Sequence, residues 1–580
     1  MVDVVANNEQ IETSKAALSR GAFLGVVDKA LLVFSTLIIN LFALAVPIVT
    51  LQIYDRILAF QSVSTLQVLC AGVFIIVILD IILRFSRSSI IGWTSARFEH
   101  MAYMDALKHI MHTKLRAYQQ HSQGEMLHKL SAIAKLKSFY SGQLIINLID
   151  MPFVLIFLGF IAYLSGWLVL VPIALLCAFG VFAIALGRSM KRALLLQDDD
   201  VDKRINFITE ALEKIHTIKM LGLESAFCRN HESLQRQNIL EAYTLNAENA
   251  QSYNASGLFT QIMMVSMIAI GALMTLNGQM TMGVLIACVL LSGRIMQPVQ
   301  RALSYWLSYQ EYQLAKDKID DLLALPVQTK DAFMPHADNI GGNLDIKGLT
   351  FSYGQDTGTI LDGVDFTLSA GKIISLGGPA GDGKTTLLKL IAGLYEADAG
   401  HVYVGGKDVS RIPSGDIARY VGYLPSDSEI FQGTILDNLT GFRPDKEDRA
   451  LEMAAYLGID VVVSKLAQGY QTVLFDGPAD PLTPGLKQRI TIARVLINRP
   501  RILLFDFADK SLDREGYNHL FRLLGQIKGQ ATMIIASNDR NLLHLAQEEY
   551  VLENGKLVLM DDSQYSKQAN LEVSLKELKS

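Results

Sequence analysis

Residues 373–386 read IISLGGPAGDGKTT. A short apolar, strand-like run enters a loop holding Gly378, Pro379, Ala380, Gly381, Asp382 and Gly383, and Lys384, Thr385 and Thr386 follow. The spacing is G-x-x-x-x-G-K-[ST]. Glycines at these points let backbone N–H groups wrap a phosphate, the lysine adds a point charge, and the Thr385 hydroxyl suits Mg²⁺. The next stretch, TTLLKLIAGL (385–394), is helical in pattern, and its start aims the positive end of a helix dipole at the anion. Strand before and helix after are the context that gives this spacing meaning. They predict a nucleotide-phosphate site inside an α/β unit.

Outward from the loop, short β-rich runs alternate with helical segments from about residue 343 onwards. That alternation predicts a largely parallel sheet covered by helices. RILLFD (501–506) reads as a buried strand ending in Asp506, where a P-loop site would hold Mg²⁺. Tyr353, in FSYG (351–354), is placed ahead of the first strand of this domain. It is a candidate to stack on an adenine, or an ordinary aromatic of the sheet.

The upstream half differs in composition. The chain has 580 residues, 50% apolar and only 19% charged, against about 25% in soluble domains. Its mean hydropathy is +0.28. Six apolar runs near 30–51, 65–85, 143–164, 167–187, 256–277 and 280–299 each approach the ~20 residues that span a bilayer. Arg294 makes the last the weakest. Asp28 and Lys29 precede the first run without a small-residue cleavage site, so that run reads as a retained anchor and not a signal peptide. A net charge of −5 leaves no global basic field, so no nucleic-acid partner is expected. Cys70, Cys177, Cys228 and Cys288 lie far apart, and three of them sit in apolar runs. They read as lone buried thiols, with neither disulfide nor metal spacing.

The connections 86–142 and 188–255 are long and carry many Lys and Arg residues. The positive-inside rule puts them in the cytoplasm with both termini. ITEALEKIHTIKMLGLE (208–224) carries Ile208, Leu212, Ile215 and Ile218 roughly on one helical face, so the membrane helices are expected to continue outward and turn back. Asp80 and Arg84 form an i,i+4 pair at a helix end, and Asp150 next to Pro152 reads as structural. Met263, Met264 and Met267 read as packing residues. QDDDVD (197–202) reads as a solvated face and not a Ca²⁺ loop.

Taken together, these motifs resemble an ABC transporter half of the exporter type over nearly the whole chain. The fold expected is an α-helical six-span membrane domain followed by an α/β P-loop nucleotide-binding domain. Its boundaries are 1–29 N-terminal cytoplasmic segment, 30–325 membrane domain, 326–342 linker, 343–565 nucleotide-binding domain and 566–580 tail. The nucleotide domain follows the family's order. Tyr353 stands as the A-loop and 378–386 as Walker A. YLPSDSEIFQGTILDNL (423–439) holds the Q-loop and LTPGLKQR (482–489) the signature. RILLFDFADKSLD (501–513) is the Walker B region and ATMIIASND (531–539) the switch. LQIYDRIL (51–58) and IDMPFVLIFLGFIAYL (149–164) resemble type I protein-secretion exporters. With about 29 residues ahead of the first span, no leader-cleaving peptidase domain is expected.

The resemblance implies ATP and Mg²⁺ as cofactors. Gly378 to Thr386, Tyr353 and Asp506 would be the nucleotide contacts, Thr385 and Asp506 the metal ligands, and Thr483 and Gly485 the signature residues facing an opposite site. Departures are as informative. Phe507 replaces the family's catalytic glutamate, Ser537 its switch histidine and Ser426 its Q-loop glutamine, and the signature reads Leu482-Thr483-Pro484-Gly485-Leu486. Pro484 removes a backbone N–H from a phosphate cradle. The expectation is ATP binding with impaired hydrolysis, in the degenerate half of a heterodimer, with a homodimer as the other arrangement. A membrane-fusion adaptor, an outer-membrane channel, a peptide or protein substrate and membrane lipid are the implied partners, at a bacterial inner membrane. The alternatives are a non-hydrolysing, nucleotide-gated regulatory or scaffold protein, or an exporter of lipid or small molecules.

Overall fold

The computed structural model describes residues 26–140, 143–328, 341–354, 358–474 and 482–560. The N-terminal segment to residue 25, most of the expected linker (329–340) and the expected 566–580 tail lie outside the described residues. The chain divides into two compact units, Met1–Thr113 with Ala117–Val327, and Lys114–Arg116 with Gln328–Ser580.

The first unit is helical. Its elements are α1 (Val26–Phe42), α2 (Ala45–Gln52), α3 (Val63–His112), α4 (Gln123–Tyr140), α5 (Gln143–Ser165), α6 (Leu170–Glu213), α7 (Glu224–Leu276) and α8 (Met282–Leu323). At ~1.5 Å per residue, α3, α6 and α7 run to roughly 65–80 Å, over twice the thickness of a hydrocarbon core. They carry apolar sequence at one end and polar sequence at the other, so a membrane helix and its connection are one continuous rod. Lys214 interrupts the second connection at φ −100°, and Gly222 at φ +63° lets the chain turn back. Of the four apolar residues expected on one face there, Ile218 is buried, while Ile208, Leu212 and Ile215 are exposed.

Five helical stretches among the described residues are long and apolar enough to cross a membrane. Six runs were expected. The third stretch, Ile149–Ser189, is 41 residues long and takes in most of the run at 143–164 and all of that at 167–187. Gly166, at φ +57°, and the short 3₁₀ turn Gly166–Val169 break it into α5 and α6.

Two cores hold this unit. Phe153, Phe157, Ile161, Phe179, Met263, Met267, Leu291 and Ile295 pack within the apolar portion. Phe98, Ala102, Ile133, Ile319 and Leu322 join α3, α4 and α8 in the polar portion. Met263 and Met267 are therefore core residues, whereas Met264 is exposed. The thiols correct the sequence reading: only Cys288 is buried, and Cys70, Cys177 and Cys228 are exposed. An apolar run does not imply burial where the outward helix faces are themselves apolar. All four cysteines are free.

Polar side chains tie the helices together. Asp55, in a π-helical turn (Ile53–Ile57) after α2, accepts from the Thr281 hydroxyl (2.6 Å) and the Gly283 N–H (3.0 Å) at the start of α8. A Cβ on Gly283 would meet Asp55 Oδ1 at 2.5 Å, so this contact requires glycine. Asp150 is buried in α5. It accepts from Asn40 Nδ2 of α1 (2.6 Å) and from an Arg301 guanidinium nitrogen of α8 (2.8 Å). The Asp80–Arg84 pair forms at 2.7 Å, but inside α3 and not at a helix end, because that helix runs on to His112. The acidic run 197–202 lies within α6, but its side chains lie outside the described residues.

The second unit holds three sheets. Strands β1 (Leu344–Phe351), β2 (Leu361–Leu368), β4 (Ala399–Val404) and β5 (Lys407–Asp408) form an antiparallel sheet in the order β2-β1-β4-β5. Strands β3 (Ile373–Gly377), β6 (Val421–Leu424), β9 (Ile502–Asp506), β10 (Thr532–Ala536), β11 (Glu548–Glu553) and β12 (Lys556–Leu559) form the main sheet, ordered β12-β11-β3-β10-β9-β6. Every pairing in it is parallel except β11–β12. A two-stranded ribbon, β7 (Gly433–Thr434) with β8 (Val473–Leu474), completes the set. The sequence reading foresaw the parallel sheet but not the separate antiparallel one. Burial separates them. β9 and β10 are buried at every residue, as a sheet covered on both faces requires, whereas β2 alternates. Tyr353 follows β1 and does not precede the first strand, which corrects its expected place.

Candidate nucleotide site

The site is built at the C-terminal ends of β3, β9 and β10. β3 leads into the glycine loop, and α9 (Lys384–Ile391) leaves it with Gly383 as its N-cap. Gly378, Gly381 and Gly383 have φ of +124°, +99° and +95°, a region that residues with a Cβ avoid. Space imposes the same choice. A Cβ on Gly378 would lie 2.7 Å from the Leu552 carbonyl oxygen, and one on Gly383 would lie 2.5 Å from Ile360 Cγ2. The loop is therefore a concave backbone surface, as a phosphate cradle requires.

Lys384 is buried and folds back onto the loop, donating to the carbonyls of Gly378 (2.8 Å) and Pro379 (2.6 Å). Burial pulls its ammonium below the usual lysine range, against the opposing pull of Asp382 and Asp506. The lowering marks a cation short of solvation, which an arriving phosphate would relieve. Thr385 Oγ1 donates to Asp506 Oδ1 at 2.8 Å. Hydroxyl and carboxylate thus converge across 121 residues of sequence, because β9 lies one strand away from β3 with β10 between them. This donor pair and the glycine cradle fit a Mg²⁺–phosphate group.

Tyr423, which sequence reading passed over, donates from β6 to the other oxygen of Asp506 at 2.6 Å. Burial and that hydrogen bond push its phenol far above the usual tyrosine range. Only the tertiary pairing of β6 with β9 reveals this contact. Tyr353 is partly buried, edge-on to Phe351 and Tyr395, and its hydroxyl hydrogen-bonds the Thr386 hydroxyl (2.9 Å). It stands beside the loop, anchored to α9.

The remaining motif residues gather at the same sheet edge. Phe507 follows Asp506 at φ +52°, its N–H donates to Ala536 O (2.9 Å), and its ring packs on the apolar core. Ser537 follows Ala536 and donates to Asp509 Oδ2 at 2.9 Å. Asp509 keeps a buried Oδ1 with no partner among the described residues, and burial holds its carboxyl above the usual aspartate range despite the Ser537 bond. A carboxyl thus lies beside Ser537, three residues after Asp506. Ser426 instead donates to Asp427 (3.0 Å), an exposed pairing.

In the signature region Thr483 caps α10 (Pro484–Leu496), accepting from the Leu486 N–H (3.4 Å). Pro484 occupies the first helical position, where its missing N–H costs the helix nothing. The substitution removes a free donor without disturbing the fold. Gly485 is buried against Asp513. Gln488, fully buried, donates to Pro425 O (2.8 Å) and Ala508 O (3.1 Å), tying this helix to the loops after β6 and β9. Arg489 pairs with Asp513 (2.5 Å), the N-cap of α11 (Arg514–Gln526).

Helices long enough to span a membrane, joined on one chain to a P-loop sheet, define an ABC exporter half, and the chain belongs to that family. The ABC transporter transmembrane region family matches residues 29–299, and the ABC transporter family matches 361–508. The chain is 26% identical over 524 residues to the alpha-hemolysin translocation ATP-binding protein HlyB of Escherichia coli, covering 90% of this chain and 73% of that protein. It is 25% identical over 566 residues to the leukotoxin export ATP-binding protein LtxB of Aggregatibacter actinomycetemcomitans, covering 96% and 79%. A bacterial Atm1-family ABC exporter solved with ATP bound superposes with a TM-score of 0.79 at 19% identity. That match covers 97% of this chain and 99% of that one, and bears on the fold alone.

Proposed function

We propose that this chain is the ATP-binding, catalytically degenerate half of a heterodimeric exporter for peptides or proteins. One observation carries the reading. The glycine loop with Gly378 and Gly383 has the backbone a phosphate cradle needs and Thr385 meets Asp506, which supports a phosphate and metal site, while Phe507 and Ser537 stand where the proposed reading expects a base and a switch. Phosphoryl transfer needs charge neutralisation and a positioned nucleophile, and only the first survives. Thr385 and Asp506 would hold Mg²⁺, whose charge would offset that of the phosphates. Thr483 and Gly485 would face the nucleotide of the partner half, whose own site would supply glutamate, glutamine and histidine.

The relatives' names, hemolysin translocation and leukotoxin export, support a polypeptide cargo. With it come a membrane-fusion adaptor and an outer-membrane channel. The chain would sit in a bacterial inner membrane with both termini and the ATP-binding domain in the cytoplasm. ATPase activity of the purified chain, alone and with its partner half, tests the proposal. The lone chain should bind ATP with turnover near background, and the mixed complex should turn over. Robust hydrolysis by the lone chain would overturn it.

A further inference from the structure

A cluster of charges in the helical unit is unbalanced. Arg301 is bonded to Asp150, and Arg84 to Asp80. Arg87 is the third guanidinium. It lies within electrostatic reach of Asp150, Arg84, Arg301 and Asp80, yet forms no hydrogen bond or ion pair among the described residues. Among the described residues Asp80 keeps a buried oxygen without a partner, and Arg87 does not reach it. Three cations thus face two carboxylates in one place, and the half-buried Arg87 is the surplus.

Position gives this surplus a meaning. Arg84 and Arg87 are three residues apart on α3 and so lie one above the other. They sit where the apolar part of α3 gives way to its polar part. On the side of α3 that carries Arg84, one and two turns toward its apolar end, Ile81 and Val77 are 59% and 42% exposed. An exposed apolar stripe that ends in arginines has the character of a membrane's head-group level. The Arg84 and Arg301 side chains are 45% and 44% exposed, so donors not used on Asp80 and Asp150 remain open to a ligand. A half-buried guanidinium without a counter-ion is costly, and an anion that also offers acyl chains answers both the charge and the apolar face.

We propose that Arg87, with Arg84 and Arg301, binds the phosphate of an anionic phospholipid, whose chains lie along Ile81 and Val77. The proposal goes beyond nucleotide binding and does not depend on whether the chain hydrolyses ATP. The test is native mass spectrometry of the full-length chain in detergent without nucleotide, with phosphatidylglycerol or phosphatidylcholine added. The wild-type chain should retain phosphatidylglycerol preferentially. Arg87→Gln should lower that retention about fivefold, Arg87→Lys should keep most of it, and Lys214→Gln, at an exposed cation elsewhere, should match wild type. Should Arg87→Gln fail to fold, Arg84→Gln is measured in its place, with a loss in the same direction expected. Equal retention of both lipids, or unchanged retention in the arginine variants, would overturn the proposal. Displacement of the lipid by a soluble acidic peptide at equal concentration would also overturn it, and would assign the arginines to a polypeptide.

Discussion

Phe507→Glu places a carboxylate where the family carries its base. A missing general base costs on the order of 10²–10⁴ in rate, or about 3–5 kcal/mol of barrier. The structure limits how much one substitution can restore. Phe507 sits at φ +52°, and glutamate tolerates that geometry no better than phenylalanine, so the local strain is unchanged. Its ring is half-buried on the apolar core, and removing it costs roughly 1–2 kcal/mol of stability. Ser537 and Pro484 would remain, and residues acting as a unit do not add independently. The expected gain is therefore about 10- to 100-fold over the lone wild-type chain, with a thermal midpoint lower by a few degrees. The assay is phosphate release from the purified chain in lipid nanodiscs, with Phe507→Gln beside it. Glutamine matches glutamate in shape but accepts no proton, so it should give no gain. Equal gains from Gln and Glu would show that relief of packing, and not a restored base, controls turnover. Wild-type turnover at the ordinary ~1 s⁻¹ or faster would refute the reasoning altogether.

Gly378→Ala should abolish ATP binding while leaving the membrane unit folded, because its Cβ would meet a backbone carbonyl at 2.7 Å; fluorescent-nucleotide titration reads this directly. Asp150→Leu should destabilise the helical unit by roughly 1–3 kcal/mol, since it strands Asn40 and a partly exposed Arg301, and a shifted detergent-unfolding midpoint would show it. Asp509 has a folded-state pKa above its unfolded one, so it favours folding when protonated and loses that contribution as pH rises through the raised value. Asp509→Asn should therefore raise the thermal midpoint at about pH 8 and lose that advantage near pH 4; an unchanged difference across the range would contradict it.

Much of the site was legible because its chemistry is local. The glycine spacing, Lys384 and Thr385 occupy one loop, and the φ values there are ones that glycine alone adopts freely. Asp506 was legible as the end of an apolar strand, and the structure puts it 2.8 Å from Thr385. Tyr423 and Asp509 were not legible. One is an ordinary aromatic in a strand and the other an acidic residue in a loop until β6, β9 and β10 set them against Asp506 and Ser537. Pro484 looked like damage to a cradle, and the structure shows it at a helix position that suits proline. The thiols failed for a different reason. Apolar surroundings in sequence signal burial only where the alternative is water.

The sequence by itself determined that this chain joins membrane helices to a nucleotide-binding domain, because bilayer length and phosphate-loop spacing are properties of contiguous residues. It also supplied the residues Phe507, Ser537 and Ser426 on which the proposed loss of catalysis rests. Tertiary structure alone decided which hydroxyls hold Asp506, which carboxyl stands beside Ser537, and that Asp150 is answered from α1 and α8. Those contacts join residues tens to hundreds of positions apart. No local rule of spacing or propensity reaches so far, and only strand order and helix packing bring such partners within a hydrogen bond.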